Sequence, residues 1–465
     1  MLRTSIALIA LAAASPAFAQ PLTPAEAAQI DQLVAKTLSD TGVPSAEIAI
    51  VRDGKLVLNK AYGKANEGLP ANPSLPYQIA SNSKQFTAMA LLLLEDEGKL
   101  SLDDHVSKYI PGITEGDKIT IRELLSHESG LQDFWPQDYS FVDMEQPTTP
   151  QHIVDKWAKK PLDFAPGTRW QYSNTGYVVA GMIAEKVSGE PLLTYLHRKI
   201  FDPLGMTSVR NQDDTNTPAF PAGYKRNALG PVRVAKQPGR GWLYAAGELS
   251  MNAADLAKWD IARMNRALIP AGDWVEQETP VLRSDGRTNG YGLGVYNIYQ
   301  RERHVIDHGG EAVGFLTQNT LYPDTKDAII VFTNSDFSGA TGTLTEGIEK
   351  IVLNSPEPAL ANETDRVADV GAVYDSLVTG TVDPAKFTPN LNYYFNPTTL
   401  GDYRSSLAPL GKPTSFESRG APRLRGGFVN RNFTIHYAGG KDLTLVTYAE
   451  PGANGRWEQF MIMPE

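Results

Sequence analysis

The chain of 465 residues holds 32 prolines, 40 glycines and no cysteine, and 42% of it is hydrophobic, an ordinary soluble composition long enough for two or three domains. A net charge of −10 argues against nucleic acid or an anionic membrane surface as a partner. Without cysteine there is no disulfide, no thiol nucleophile and no thiolate metal ligand.

Residues 1–19 read as a cleavable signal peptide. Arg3 precedes an apolar run over 5–14, followed by Ala17-Phe18-Ala19, small residues at the positions a signal peptidase reads. The run is shorter than the roughly 20 residues that span a bilayer, and no later stretch qualifies. Cleavage before Gln20 would place the mature chain, one unit more negative, in the periplasm or outside the cell.

Thr23-Pro24 with Glu26 reads as a capped helix start, running to about Ser39. Strand-like runs over 46–52 and 55–62 meet at Asp53-Gly54, a hairpin signal. Helix is expected over 81–97, 121–125, 174–187 and 253–266. Strands are expected over 291–299, 304–308, 313–322 and 328–334. Strands at both ends with helices between predict an α+β unit over 20–353, one antiparallel sheet covered by helices from the middle. A polar stretch containing Pro356 and Pro358, over 354–365, reads as a linker. Beyond it, a helix over 367–379 and strands over 433–437, 443–448 and 457–463 predict a small α+β domain over 366–465.

Three short motifs carry chemistry. Ser81-Asn82-Ser83-Lys84 is the only S-x-x-K in the chain, and Ser81 stands at a helix start, with Lys84 one turn on along the same face. The positive end of that helix disfavours an ammonium, as a base at Lys84 requires. The spacing alone fits a capping serine and a solvated lysine better. Tyr172-Ser173-Asn174 offers a phenol for proton relay, more acidic beside an ammonium, and an amide to hold Lys84 and a substrate carbonyl. Tyr394-Phe395-Asn396 repeats this spacing in the C-terminal domain, so the pattern by itself is unspecific. His308-Gly309-Gly310 suits a strand edge along which substrate backbone passes closely. A metal reading of His304 and His308 fails, because a strand sets them about 13 Å apart. No metal and no cofactor is expected.

In this order the three motifs resemble the serine β-lactamase and penicillin-binding-protein superfamily, over about residues 24–350. The resemblance is to its class C-like branch, which includes family VIII esterases, D-aminopeptidases and D,D-carboxypeptidases. The stretches 119–131, Pro203-Leu204-Gly205-Met206 and Tyr291-Gly292-Leu293-Gly294 share it. It implies a β-lactamase/transpeptidase-like fold, Ser81 as acylated nucleophile, Lys84 and Tyr172 sharing proton transfers, and Asn174 as orienting amide. The oxyanion hole would be the backbone N–H groups of Ser81 and Glu311. His127 is expected to be structural. Relatives with Lys-Thr-Gly on this strand grip a substrate carboxylate, whereas His308-Gly309-Gly310 offers a mostly neutral imidazole and no hydroxyl. The C-terminal domain resembles the cone-shaped NTF2/SnoaL-type fold. No G-x-S-x-G elbow is present, against an α/β-hydrolase.

The expected function is an exported hydrolase forming an acyl-enzyme on a small ester, amide or cell-wall peptide. The alternative is a catalytically idle envelope protein that holds cell-wall peptides.

Overall fold

The computed structural model describes residues 21–301, 303–353, 366–420, 422–452 and 454–464. The signal peptide and the expected linker lie outside these residues. The described chain divides into two compact units between Leu353 and Asn354.

Helix α1 (Pro24–Thr41) starts on the capping box of Thr23 and Glu26 and stops at Gly42, whose φ of 75° ends the helix in the left-handed region. Strands β1 (Ser45–Arg52) and β2 (Lys55–Asn66) form the expected hairpin, and β3 (Leu69–Pro70) adds to its edge. The middle of the chain supplies α2 (Lys84–Asp96), α3 (Ile121–Leu125), α4 (Asn174–Ser188) and α5 (Ala253–Met264). Strands β4 (Tyr296–Gln300), β5 (Arg303–Ala312), β6 (Phe315–Tyr322) and β7 (Asp327–Thr333) follow, then α6 (Ala340–Val352). All pair antiparallel in the order β3-β2-β1-β7-β6-β5-β4. The antiparallel sheet with helices from the middle is the predicted architecture, whereas α6, which joins α1 over the other face, is not among the expected helices.

Strand β1 explains why the sheet closes first and last strands together. Its residues from Ser45 to Val51 are all buried, so alternate side chains enter two different cores. Ile48 and Ile50 meet Ile30 and Val34 of α1 and Leu344 and Ile348 of α6. Ala49 and Val51 belong to the core that contains Leu256 and Ala257 of α5 and most of α2. A strand covered on both faces is buried along its length, and the buried run here is apolar apart from Ser45 and Glu47.

The strand expected over 291–299 begins instead at Tyr296. Gly294 has φ 82°, and a Cβ there would come within 2.9 Å of the Lys84 carbonyl. The stretch before β4 is therefore irregular backbone wedged against the start of α2, and only glycine fits the contact. The helix expected from Ser81 begins at Lys84, preceded by a 3-10 turn over Ala80–Ser83.

In the second unit the expected single helix, α7 (Val367–Thr379), is joined by α8 (Pro389–Tyr394) and α9 (Pro397–Leu407). Thr388-Pro389 and Asn396-Pro397 are capped starts that mark these helices in the sequence. Strands β8 (Pro413–Ser418), β9 (Arg423–Arg425), β10 (Phe428–Tyr437), β11 (Asp442–Ala449) and β12 (Trp457–Pro464) follow. Both β8 and β9 pair with the same side of β10, which continues to β11 and β12. The unit has its own core, in which Val370, Tyr374 and Leu377 of α7 meet Phe433, Leu445 and Trp457 of the sheet. Three helices before the sheet correct the expected order of one helix and a meander.

A close backbone approach joins β5 to the turn that carries Ser81. A Cβ on Gly310 would lie 2.1 Å from the carbonyl oxygen of Ile79 and 2.3 Å from Oγ1 of Thr317. At Gly309 the nearest atom would be Oε1 of Gln318 at 3.3 Å, the end of a flexible side chain. We therefore predict that Gly310→Ala costs at least about 1–3 kcal/mol in urea unfolding, as overpacking does, whereas Gly309→Ala costs under about 1 kcal/mol. Equal losses at the two positions would show that the Ile79 contact does not set the requirement.

Candidate active site

The turn Ala80–Ser83 is held from three sides. The N–H of Ile79 donates to the Leu249 carbonyl at 3.0 Å. Oγ1 of Thr317 donates to the Ile79 carbonyl at 3.1 Å, and Nδ2 of Asn82 donates to that same hydroxyl at 3.0 Å. Ala80, just before the nucleophile candidate, has φ 48°. This conformation is unfavourable for a residue with a Cβ, and the surrounding contacts hold it there.

Two groups meet at the Ser81 hydroxyl. Nζ of Lys84 lies 3.0 Å from Oγ of Ser81, and the Tyr172 hydroxyl donates to the same oxygen at 2.8 Å. Lys84 is fully buried. Besides Ser81, its Nζ donates to Oδ1 of Asn174 at 2.9 Å and to the Ala246 carbonyl at 2.6 Å. As an ammonium it donates to all three. As a neutral amine it still donates to Asn174 and Ala246 and accepts the Ser81 proton, so both protonation states are fully bonded.

Burial lowers the Lys84 pKa to about 7, with Asp133 pulling it back upward. The cause is thus chiefly the loss of water rather than the helix end that sequence reasoning invoked. Tyr172 moves the other way. Burial pushes its hydroxyl far above the usual phenol value, although the bond to Ser81 partly offsets this. The expectation of a more acidic phenol is corrected, because desolvation of a phenolate outweighs its neighbours. Lys84 is the group poised to take a proton near neutrality, and Tyr172 is the group that keeps one.

The stretch 127–130 explains how Tyr172 reaches the turn. The carbonyls of His127, Glu128 and Gly130 accept from the N–H groups of Gln171, Gly167 and Asp163. Nδ1 of His127 accepts from the Ser173 N–H at 3.1 Å. Its ring is buried against those of Tyr172, Tyr177, Tyr291 and Trp170. His127 is therefore a strut for the Tyr172 segment.

His308, Gly309, Gly310 and Glu311 lie on β5 along the same cleft, whose volume is about 640 Å³. His308 is buried, its Nδ1 on the Gly309 carbonyl and its Nε2 2.9 Å from the Tyr291 hydroxyl. Burial and the neighbouring Lys84 lower its pKa to about 4, so it is a neutral ring with both nitrogens engaged. Counting from the two-residue turn Val313-Gly314, Gly310 and Ala312 share the ladder bonds with β6. The Glu311 N–H then faces the opposite edge, which β4 leaves uncovered beyond Asp307.

All eight site residues named from the sequence thus line the cleft or, for Lys84, lie beneath it. Sequence reasoning missed Asp133, which binds Asn174, and the Ala246 carbonyl, which binds Lys84. Asp133 stands two residues past the 119–131 stretch and could have been noticed. A backbone carbonyl carries no sequence signal. Trp135, also missed, packs on Ala80, Leu243 and Ala312 and makes an apolar wall of the cleft.

Comparison with known proteins places this geometry. The sequence model of the family described as Beta-lactamase matches residues 30–351. PbpX of Bacillus subtilis (strain 168), named as a penicillin-binding protein, is 29% identical over 325 residues, 69% of this chain and 78% of the relative. The flp protein of Staphylococcus aureus (strain N315) is also 29% identical, over 66% of this chain and 62% of its own length, under two thirds of that relative. Among solved structures, a D-stereospecific amidohydrolase from Streptomyces sp. aligns with TM-score 0.60 and 28% identity, over 69% of this chain and 97% of that one. An octameric penicillin-binding protein homologue from Pyrococcus abyssi shares the fold at TM-score 0.62 and 21% identity, over 94% of this chain and 99% of that one. With its family match covering well over half of the sequence and its fold shared with these solved structures, this chain belongs to the beta-lactamase family.

Proposed function

We propose that this protein is an exported serine hydrolase that cleaves a neutral ester or amide through an acyl-enzyme on Ser81. The observation that carries the reading is the convergence of Lys84 Nζ and the Tyr172 hydroxyl on one serine oxygen at the floor of a cleft. The apolar stretch after Arg3 supports export, and the likeness to a D-stereospecific amidohydrolase supports an amide or ester substrate.

In this reading neutral Lys84 takes the Ser81 proton as Oγ bonds to the substrate carbonyl carbon. The carbonyl π electrons move onto oxygen, where the N–H groups of Ser81 and Glu311 receive the charge. Collapse of this adduct expels the leaving amine or alkoxide, which takes the Tyr172 proton while Lys84 reprotonates the phenol. Water then attacks the acyl-enzyme, giving its proton to the relay, and Ser81 departs with it. Asn174 keeps Lys84 aimed throughout.

The cleft selects against anions. Among the described residues its lining contains Asp133, Asp138 and Glu311 but no lysine or arginine. Burial raises the Glu311 pKa, and Asp138 and Asp336 add to the rise. His308 is neutral and has no free donor. A charge-assisted hydrogen bond to a substrate carboxylate contributes about 1.5–3 kcal/mol, so its loss weakens such substrates about ten- to a hundredfold. The wall of Trp135, Leu243 and Ala312 instead suits an apolar acyl or side-chain group.

Covalent labelling by a fluorophosphonate probe tests the nucleophile. The wild type should label on one serine, with a rate that rises with pH through about 7 as Lys84 loses its proton, and Ser81→Ala should not label at all. Absence of wild-type labelling would favour the idle peptide-binding protein. Labelling of another serine in Ser81→Ala would refute the assignment.

Specificity is tested separately. The wild type should hydrolyse p-nitrophenyl butyrate with at least about tenfold higher kcat/KM than nitrocefin, and His308→Lys should narrow that gap. The reverse ranking in the wild type would overturn the account of the neutral histidine.

A further inference from the structure

We propose that Asp133 is a positioning residue for acylation, whose carboxylate holds the Asn174 amide with its oxygen turned toward Lys84. The inference rests on the Ser81–Lys84 reading above and adds a residue to it.

Three N–H groups converge on the Asp133 carboxylate, divided between its two oxygens. The backbone N–H groups of Trp135 and Asn174 donate to Oδ1 at 3.0 and 3.2 Å. Nδ2 of Asn174 donates to Oδ2 at 3.2 Å. A side-chain amide fits its space either way round, and its partners decide the orientation. Here the NH2 end of Asn174 has a carboxylate oxygen to meet, which leaves Oδ1 for Lys84 at 2.9 Å.

Asparagine in place of Asp133 cannot reproduce this. It has one oxygen, so its own NH2 must face either the two backbone N–H groups or the Asn174 NH2. Rotation of the Asn174 amide relieves the second conflict but turns two N–H donors toward Lys84. Its Nζ, fully buried, then loses an acceptor.

Charge gives a second consequence with a distinct readout. The groups facing Lys84 are Ser81, Asn174, the Ala246 carbonyl, the Tyr172 and Tyr177 rings, and His127 and His308. Burial holds both histidines and both phenols uncharged. Among the described residues, Asp133 is the neighbour whose charge favours the ammonium form of Lys84. Removing that charge lowers the Lys84 pKa further, so the neutral amine persists to lower pH.

The experiment follows fluorophosphonate labelling of Ser81 against pH in the wild type, Asp133→Asn, Asp133→Glu, Asn174→Ala and the Asp133→Asn/Asn174→Ala double variant. Asp133→Asn should slow the plateau rate about ten- to a hundredfold, the range expected for a misaligned group, and shift the acid limb to lower pH. Asp133→Glu, with charge and both oxygens retained, should keep the wild-type limb and recover part of the rate even if the asparagine variant folds poorly. The double variant should label within about twofold of Asn174→Ala, because the two residues act as one unit. An unmoved limb, or losses that multiply in the double variant, would reduce Asp133 to a brace for the 133–135 turn and overturn the proposal. A wild type that never labels would remove the hydrolase reading and this inference with it, whereas failure of the inference alone appears only among the variants.

Discussion

A lysine amine with no access to water lies beneath the serine, and the surrounding structure answers to it. An unpaired ammonium in such a place is prohibitive, so the amine needs a full set of acceptors or a depressed pKa. It has both. A serine oxygen, an amide oxygen and a backbone carbonyl surround Nζ, and burial brings its proton affinity down to about 7. The same dryness pushes His127 and His308 to the neutral state and Tyr172 to the protonated one. One desolvated pocket therefore sorts four titratable groups into one near-neutral base, two neutral rings and one phenol that keeps its proton.

Holding that pocket together requires segments distant in sequence to approach closer than side chains allow. Gly310 lets β5 touch the Ile79 carbonyl, and Gly294 lets the stretch before β4 touch the backbone of Lys84. These contacts bring the strand edge and the turn that carries Ser81 into one wall. On the opposite wall, the carbonyls of 127–130 hold the segment that ends in Tyr172 and Asn174. The geometry of the candidate site is thus set by backbone against backbone, which tolerates less drift than long side chains would.

The same arrangement bears on specificity. A strand with a lysine at position 308 would put a cation beside the cleft. In this chain the ring there is closed onto Tyr291 and its own neighbour's carbonyl. Carboxylates of Asp133, Asp138 and Glu311 remain to define the field around Ser81, while Trp135 supplies apolar surface. The family scaffold is retained, and among the described residues no lysine or arginine lines the cleft.

The sequence by itself determined most of the order of strands and helices in the first unit, though not α6, since capping boxes, the Asp53-Gly54 turn and the apolar run over 48–51 in β1 are local signals with local causes. It also marked Ser81, Lys84, Tyr172, Asn174 and the His308–Glu311 strand, because these chemistries need fixed residue types at short spacing. Tertiary structure alone decided the proton inventory, for a pKa depends on how much water folding removes, and no spacing records that. It decided likewise that Asp133 and the Ala246 carbonyl meet Asn174 and Lys84, across 41 and 162 residues of chain. Contacts of that range follow from how helices pack over the sheet, and their partners carry no motif of their own.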